Sequence, residues 1–392
     1  MEDFYSTHKY LLEHVNAPVR RALMDEIDWS ARMIGIKGTR GVGKTTFLLQ
    51  YAKEKFDPSD RRCLYINMNN FFFQGKGIAE FAGEFYRQGG RVLLIDQVFK
   101  QSEWSKELRR CYDLYPKLKI VFAGSSVMRL KRENPELGDI VKSYNLRGFS
   151  FREYLNLRTG NNFRWMTLDE IMRHKEQIVQ EVLSKVDPRI FFDEYIEHGF
   201  YPLFREHDNF SDNLLKSTNM TIEVDILLIK QTELKYLTKI KKLFYLLAVA
   251  GPQAPNVSQL AEKIQTSRAT VMNYIKYLSD ARLINMIHPV GQRFPKKPTK
   301  VMLHNPNLYQ AIYPITYEKQ TRMETFFVNT MWKDHKVNQG SKDLCYTIDG
   351  EKRFKITADS MLHGTTNVVY CQYANNDVAD NMIPLWLLGF LY

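Results

Sequence analysis

Short apolar segments alternate with helical patterns along the first third of the chain. The apolar segments cover Met33–Ile36, Cys63–Asn67, Val92–Asp96 and Lys119–Ser126, and they have the composition of β-strands. Stretches with helical periodicity lie between them. Because parallel strands need long crossover connections, this alternation predicts an α/β fold in which a parallel sheet is covered by helices on both faces.

The remainder of the chain has a different pattern. Helical stretches dominate from Asn161 to about Ile240, and two short amphipathic segments follow. Ser267 is a good N-cap for the second of these segments, and Leu283–Asn305 reads as a β-hairpin with a basic, proline-containing tip. This order of elements predicts a winged helix. The apolar positions, spaced i, i+3, i+4 and i+7, are Val257, Leu260, Ala261 and Ile264 in the first segment and Val271, Tyr274, Ile275 and Leu278 in the second.

Composition narrows the class of protein. A chain of 392 residues with 44% hydrophobic and 25% charged residues is globular and long enough for two or three domains. No apolar run approaches the roughly 20 residues that span a bilayer, and no signal peptide or metal-ligand cysteine spacing is recognisable. We therefore predict a cytoplasmic protein with reduced thiols and no membrane partner. The net charge of +11 permits nucleic acid as a partner without requiring it.

The first predicted strand leads into a loop with the pattern G-x-x-x-x-G-K-[ST], and a helical pattern follows the loop. This is the setting of a phosphate-binding P-loop. Glycines let consecutive backbone N–H groups point at phosphate oxygens, and the helix adds its positive amino end. We therefore predict ATP and Mg²⁺ as ligands. The predicted cradle consists of Gly38, Thr39, Arg40, Gly41, Val42, Gly43, Lys44, Thr45 and Thr46.

Individual roles follow from this assignment. Lys44 is expected to reach the β- and γ-phosphates, and the Thr45 hydroxyl is expected to ligate Mg²⁺. Asp96 ends its strand at the ligand-binding edge of the predicted sheet, so we expect it to contact Mg²⁺ directly or through water. Ser125 and Ser126 end a neighbouring strand, where they either place hydroxyls near the γ-phosphate or form a plain turn.

Four motifs follow one another as in a known family. They are "GTRGVGKTTFLLQ", "YINMNNFFF", "LLIDQVFK" continuing to "KIVFAGSS", and "LRGFSFREYLNL". In this order they resemble the bacterial and archaeal AAA-type ATPases of the archaeal ATPase-like group. The resemblance implies an AAA-type P-loop core with the phosphate-binding strand in the middle of its sheet and Ser125 or Ser126 as a sensor. It also implies a C-terminal domain of unknown function.

Together with the pattern, the resemblance predicts four domains. They are a P-loop core over 1–158, a helical lid over 159–240, a winged helix over 241–303 and a small α/β nuclease-like domain over 304–392. Glu324 matches the family's first nuclease carboxylate. Asp349 and Glu351 occur with Lys352 or Lys355 outside the expected spacing, so we predict an inactive version in which Glu324 is a helix-surface or capping carboxylate.

The chain departs from the family pattern at two places. Gln97 stands where relatives normally carry the glutamate that polarises the attacking water, and losing such a base costs on the order of 10²–10⁴ in rate. Before "YNLRGFSF", relatives commonly carry two arginines that could act on a neighbour's γ-phosphate, but this chain has Asp139 in that region. Nearby basic residues that could substitute are Arg129, Lys131, Arg132 and Lys142. We therefore expect ATP binding without fast hydrolysis.

The winged helix leaves two interpretations open. In a DNA reader, Arg268 and Asn273 could contact base edges, and Lys296, Lys297 and Lys300 could contact phosphates. Winged helices also serve as protein-interaction modules or spacers. Our function hypothesis is a nucleotide-dependent switch that sets the angle between core, lid and winged helix. The alternatives are a slow ATPase and a DNA-binding regulator with structural nucleotide, and the oligomeric state stays open.

Overall fold

A computed structural model describes residues 1–128, 130, 133–205, 209–313, 318–340, 345–358, 367–373 and 375–392. The chain divides into two compact units, Met1–Arg147 and Gly148–Tyr392. Among the described residues, no helix is both long and apolar enough to cross a membrane.

The amino-terminal unit is an α/β layer structure. Its five strands are β1 (Met33–Gly38), β2 (Cys63–Asn67), β3 (Val92–Asp96), β4 (Lys119–Ser125) and β5 (Lys142–Asn145). Its described helices are α1 (Glu2–His14), α2 (Leu23–Glu26), α3 (Lys44–Lys55), α4 (Ile78–Arg87) and α5 (Trp104–Leu114). The four strands predicted from apolar segments are confirmed.

The five strands form one parallel sheet in the order β2-β3-β4-β1-β5. The phosphate-binding strand β1 therefore lies inside the sheet, but β4 occupies its centre, so the prediction of a central β1 was wrong. The reason is that only one short strand, β5, extends the sheet beyond β1. Pattern analysis missed β5 because its sequence, KSYN, is polar and mostly exposed, as an edge strand can be.

Helix α1 packs against the edge strand β2 and places one polar side chain inside the unit. His8 is 1% exposed, and its Nδ1 accepts a hydrogen bond of 3.2 Å from the backbone N–H of Tyr65. Burial lowers the pKa of His8 from 6.5 to about 4, because the charged imidazolium would lose its water. The ring is therefore neutral at physiological pH.

This buried histidine makes stability depend on pH. As the pH falls below 6.5, the unfolded chain takes up a proton before the folded chain does, so stability present above pH 6.5 is lost progressively toward pH 4. His8→Asn keeps a hydrogen-bond acceptor but cannot titrate. Between pH 7.5 and pH 5, we expect wild type to lose about 2 kcal/mol more unfolding free energy than the variant. Urea unfolding at both pH values measures this, and identical losses would contradict it.

The carboxyl-terminal unit begins with helices, as predicted. They are α6 (Phe151–Thr159), α7 (Leu168–Leu183), α8 (Arg189–Glu194), α9 (Phe210–Met220), α10 (Leu227–Lys230), α11 (Leu237–Ala250), α12 (Val257–Lys263), α13 (Arg268–Asp280), α14 (Pro306–Ile312) and α15 (Lys319–Met331). Its strands are β6 (Ile284–Ile287), β7 (Lys300–Leu303), β8 (Val337–Gln339), β9 (Cys345–Ile348), β10 (Lys352–Thr357), β11 (Val368–Gln372) and β12 (Met382–Pro384).

A mixed five-stranded sheet in the order β12-β11-β10-β9-β8 forms the end of this unit. Side chains of α6, α7 and α15 share one apolar core with this sheet and with the buried C-terminal segment after β12. Helix α7, which we predicted as part of a lid, thus has its apolar face on the C-terminal sheet. Capping boxes at Ser150–Glu153 and Thr167–Glu170 fix the starts of α6 and α7.

Helices α12 and α13 and the antiparallel pair β6–β7 occur in the predicted order. The Ser267 side chain accepts the backbone N–H of Thr270 at 3.1 Å, which confirms the predicted N-cap of α13. The four predicted apolar residues of α13 are buried. The assignment of these elements as a winged helix stays a prediction.

Candidate nucleotide-binding site

The loop between β1 and α3 has the backbone of an anion cradle. Gly41 and Gly43 have φ values of 82° and 90°, in the left-handed region that side chains other than glycine rarely adopt. A Cβ on Gly38 would lie 2.5 Å from the carbonyl oxygen of Leu146, so only glycine fits there. The loop therefore ends at the amino terminus of the 12-residue helix α3, where unpaired N–H groups favour phosphate.

Lys44 is the first residue of α3, and its side chain turns back over the loop. The ammonium Nζ donates to the carbonyl oxygens of Gly38 at 2.9 Å and Thr39 at 2.8 Å. The predicted cradle residues thus lie together around this amine. Thr39, Val42 and Lys44 are buried, Arg40 and Thr46 are half-buried, and Thr45 is exposed.

Arg21 donates hydrogen bonds to the backbone of the loop, a role that the sequence did not suggest. Its guanidinium donates to the carbonyl oxygen of Val42 at 3.1 Å and to that of Arg147 at 2.7 Å. The C=O and N–H of a trans peptide point in opposite directions. By holding the Val42 carbonyl, Arg21 fixes the direction of the Gly43 N–H, one of the expected phosphate donors.

Asp96 and Thr45 meet at the carboxyl edge of the sheet. The Thr45 hydroxyl donates to Oδ2 of Asp96 at 2.5 Å, and Asp96 is fully buried. The Tyr65 hydroxyl donates to the same oxygen at 3.0 Å. The backbone N–H of Gln97 donates to Oδ1 at 2.8 Å. A hydroxyl beside a carboxylate, next to a phosphate cradle, is the oxygen donor set that suits Mg²⁺, so these residues fit the predicted metal.

Gln97 follows Asp96 in a constrained conformation. Its φ of 56° lies in the left-handed region, although it is not glycine. Its side-chain carbonyl Oε1 is buried and accepts no hydrogen bond from the described residues. A buried polar atom without a partner costs free energy, and such atoms tend to mark functional positions.

Ser125 and Ser126 lie beside the start of the loop. Strand β4 pairs with β1 so that Ser125 is opposite Gly38, and the Ser126 N–H donates to the Gly38 carbonyl at 3.1 Å. The Ser125 hydroxyl accepts the Val127 N–H at 3.3 Å, as in a strand-ending turn. The structure thus brings both serines next to the cradle, and their roles there stay predictions.

Of the four basic residues proposed to replace the missing arginines, Lys142 lies among the described residues. Arg129, Lys131 and Arg132 lie outside the described residues. Lys142 forms an ion pair with Asp28. Lys142 is paired in register with Ile34, close to the first residue of β1. It therefore lies at the amino-terminal end of the strands, whereas the loop follows their carboxyl-terminal end. Asp139 pairs with Arg109, with 3.0 Å between Nη1 and Oδ1.

In the carboxyl-terminal unit, Arg268, Asn273, Lys296 and Lys297 are exposed. Nε of Arg268 donates to the Ser258 hydroxyl at 2.8 Å. These residues are accessible to a partner of α13 and of the segment between β6 and β7.

Two charged residues are not where we predicted them. Lys300 is 12% exposed and lies 2.5 Å from Oε1 of Glu324, which is 4% exposed, so neither is a surface group. The Tyr346 hydroxyl also donates to Oε1, at 2.8 Å. Lys300 is therefore mostly buried in an ion pair and not an exposed residue of the hairpin, and Glu324 is neither a capping nor a surface carboxylate. The helical pattern around Glu324 could not show that Lys300, on β7, forms an ion pair with it.

Asp349, the next nuclease-like carboxylate, has partners other than Glu324. Asp349 accepts the backbone N–H of Lys336 at 2.8 Å and pairs with His335, while Lys352 pairs with Asp169. Over the described residues, no group of three or more His, Cys, Asp or Glu side chains is placed to hold a metal.

Comparison with known proteins agrees with the amino-terminal fold. A family described as "AAA domain" matches residues 30–155, and a "Domain of unknown function (DUF8612)" matches residues 190–318. The uncharacterized protein MJ1637 of Methanocaldococcus jannaschii is 27% identical over 274 residues, which cover 66% of this chain and 57% of that protein. The chain thus matches a little over half the length of this relative.

Two solved structures show loose similarity. The Aeropyrum pernix ORC1 protein, solved in complex with DNA, has a TM-score of 0.32 and 12% identity over 83% of this chain and 92% of that chain. C. elegans PCH-2 has a TM-score of 0.24 and 13% identity over 71% and 66%. The sequence match, the parallel sheet and the loop geometry agree with one another. The amino-terminal unit therefore has the fold of an AAA-type P-loop domain over residues 30–155, and a domain of unknown function matches residues 190–318 on its carboxyl-terminal side.

Proposed function

We propose that this protein binds Mg·ATP at Gly38–Thr45 and Asp96 and acts as a nucleotide-dependent switch with weak or no hydrolysis. One observation carries the proposal: a fully formed phosphate cradle stands beside Gln97, whose neutral amide occupies the position of the expected base. Binding and hydrolysis need different groups, and this arrangement supports binding more than hydrolysis.

The binding groups act by electrostatics and hydrogen bonding. The loop amides, the amino end of α3 and the Lys44 ammonium all present positive charge to phosphate oxygens. Lys44 is held over the loop by two carbonyls, so it needs little reorganisation to reach a phosphate. Thr45 and Asp96 would hold the Mg²⁺, which neutralises phosphate charge.

The Gln97 side chain supports water positioning but not proton transfer. Its buried carbonyl oxygen has no partner in the described part of the chain, so a water molecule that donates a hydrogen bond would satisfy it. An amide oxygen is far too weakly basic to take up the proton that the attacking water must lose. Nucleotide would therefore persist in the site, as a switch requires.

The carboxyl-terminal unit is the part of the chain that we propose responds to nucleotide binding. We assign residues 159–240 as the helical lid, 241–303 as the winged helix and 304–392 as a nuclease-like scaffold. Nucleotide would change the relation of these parts to the P-loop core of 1–158. This assignment rests on the order of helices and strands and on the absence of a metal-binding cluster among the described residues.

The test combines calorimetry with a turnover assay on the wild-type protein. We expect heat from ATP in the presence of Mg²⁺ and at most about six turnovers per minute, since losing a positioned base lowers a typical rate of about 10 per second by a factor on the order of 10²–10⁴. Absence of binding would overturn the switch. Binding with rapid phosphate release would favour the ordinary ATPase.

DNA binding is a second candidate function, because Arg268, Asn273, Lys296 and Lys297 are all exposed on or beside a helix–turn–helix and its hairpin. If Lys296 and Lys297 contact phosphates, reversing both charges should weaken binding to duplex DNA and reduce the slope of log K against log salt by about 2. Lys55→Glu with Lys117→Glu is the matched control, because it makes the same charge change at exposed sites of the other unit. Equal weakening by both pairs would leave only a nonspecific charge effect and refute a site on the hairpin.

A further inference from the structure

The carboxylate of Asp96 is held by an unusually complete set of neutral donors. Oδ1 accepts the Gln97 N–H, and Oδ2 accepts both the Thr45 and the Tyr65 hydroxyls, at 2.8, 2.5 and 3.0 Å respectively. Asp96 is 0% exposed, and within the described part of the chain these three donors are the hydrogen-bond partners of its carboxylate. These three hydrogen bonds are therefore what fixes the orientation of the buried charge.

Tyr65 contributes the donor that does not belong to the P-loop or to Asp96's own backbone. It lies on β2, is 5% exposed, and its hydroxyl accepts a weak hydrogen bond of 3.4 Å from the Asn67 side-chain amide. The hydroxyl in turn donates a hydrogen bond to Oδ2 of Asp96, so it links the Asn67 side chain to the carboxylate.

The hydroxyl has no separate structural task in this geometry. The aromatic ring is buried, and phenylalanine would keep that ring while it removes the hydroxyl. The polar contacts of the hydroxyl lead to Asp96, Asn67 and the site. A buried hydroxyl on the expected metal-binding carboxylate matches the way proteins orient metal-binding groups through a surrounding layer of hydrogen bonds.

We propose that Tyr65 is a positioning residue for the magnesium site: its hydroxyl and that of Thr45 both donate to Oδ2 and hold the Asp96 carboxylate in the orientation that Mg·nucleotide requires. This inference rests on the proposed nucleotide-binding function. It assigns Tyr65 to the Mg²⁺-dependent part of nucleotide affinity and not to the contacts between the loop and the phosphates.

The test separates these two parts of the affinity. ATP is titrated into the full chain by calorimetry in EDTA and at a series of Mg²⁺ concentrations, for wild type and Tyr65→Phe. Loss of such a supporting hydrogen bond typically weakens metal affinity by about 10–100-fold. We expect the Mg²⁺ concentration for half-maximal enhancement of ATP binding to rise by about that factor in Tyr65→Phe, while the affinity in EDTA changes less than about twofold.

Tyr51→Phe is the matched control, because Tyr51 is another buried tyrosine of the same unit and its hydroxyl makes no hydrogen bond to the site. Urea midpoints and circular dichroism show whether both variants fold. Asn67→Ala removes the amide donor to Tyr65 and is a milder second variant. It should raise the Mg²⁺ concentration for half-maximal enhancement by a smaller factor than Tyr65→Phe does.

Each outcome bears on a separate statement. If wild type binds no nucleotide with or without Mg²⁺, the proposed function fails and this inference fails with it. If wild type binds Mg·ATP but Tyr65→Phe has the wild-type Mg²⁺ dependence, or shifts no more than Tyr51→Phe, only the role of Tyr65 is refuted.

Discussion

The variant Gln97→Glu is expected to hydrolyse ATP about 10²–10⁴ times faster than wild type, because it restores a carboxylate that can accept a proton from water. Glutamate has nearly the same size and shape as glutamine, and the left-handed backbone and the N–H bond to Asp96 do not depend on the side chain. Phosphate release at saturating Mg·ATP measures the effect.

The control for this variant is Gln88→Glu, the same chemical change at an exposed position after α4. It should leave turnover at the wild-type level. Affinity for Mg·ATP should fall modestly in Gln97→Glu, since a second negative charge beside Asp96 repels the phosphates. If turnover stays unchanged in Gln97→Glu while nucleotide still binds, a feature other than the missing base limits hydrolysis.

Replacing Lys44 with alanine is expected to weaken Mg·ATP binding by about 10²–10⁴-fold. The ammonium is predicted to contact two phosphates, and hydrogen bonds to charged groups contribute about 1.5–3 kcal/mol each. The variant also removes the group that bridges the Gly38 and Thr39 carbonyls, so those two carbonyls lose a shared donor at the start of the loop. Calorimetry with Mg·ATP gives the affinity.

Lys55→Ala is the matched control, because Lys55 is an exposed lysine at the other end of the same helix. It should bind Mg·ATP as wild type does. If Lys44→Ala kept the wild-type affinity, the loop would not be the nucleotide site, and the proposed function would lose its main support.

The sequence predicted the parts of the site that depend on local backbone requirements. The glycines of the loop, Lys44 and Thr45 are fixed by spacing, because the chain must curl and then begin a helix within a few residues. Asp96 was predictable from its place at the end of an apolar strand. The four main strands were predictable for a similar reason, since burial on both faces leaves a continuous apolar run.

The supporting residues were not predictable, because their roles arise only from tertiary contacts. Arg21 precedes the loop by 17 positions, and its side chain reaches the Val42 carbonyl only in the folded chain. Tyr65 reads as one aromatic residue of a strand, although its alternation with Asn67 on one face of β2 was a usable signal. Helical periodicity placed Glu324 on α15 but could not reveal the cation from β7 that neutralises it.

The ion pair between Lys300 and Glu324 has a practical consequence for dividing the chain into fragments. The sequence-based boundary at 303/304 falls between its two members, one on β7 and one on α15. A fragment that starts at residue 304 would retain the Glu324 carboxylate without its counter-ion, and an uncompensated buried charge destabilises a fold by about 3–5 kcal/mol. Recombinant pieces of this protein are therefore better cut before Gly148, where the second compact unit begins in the sequence, than inside that unit.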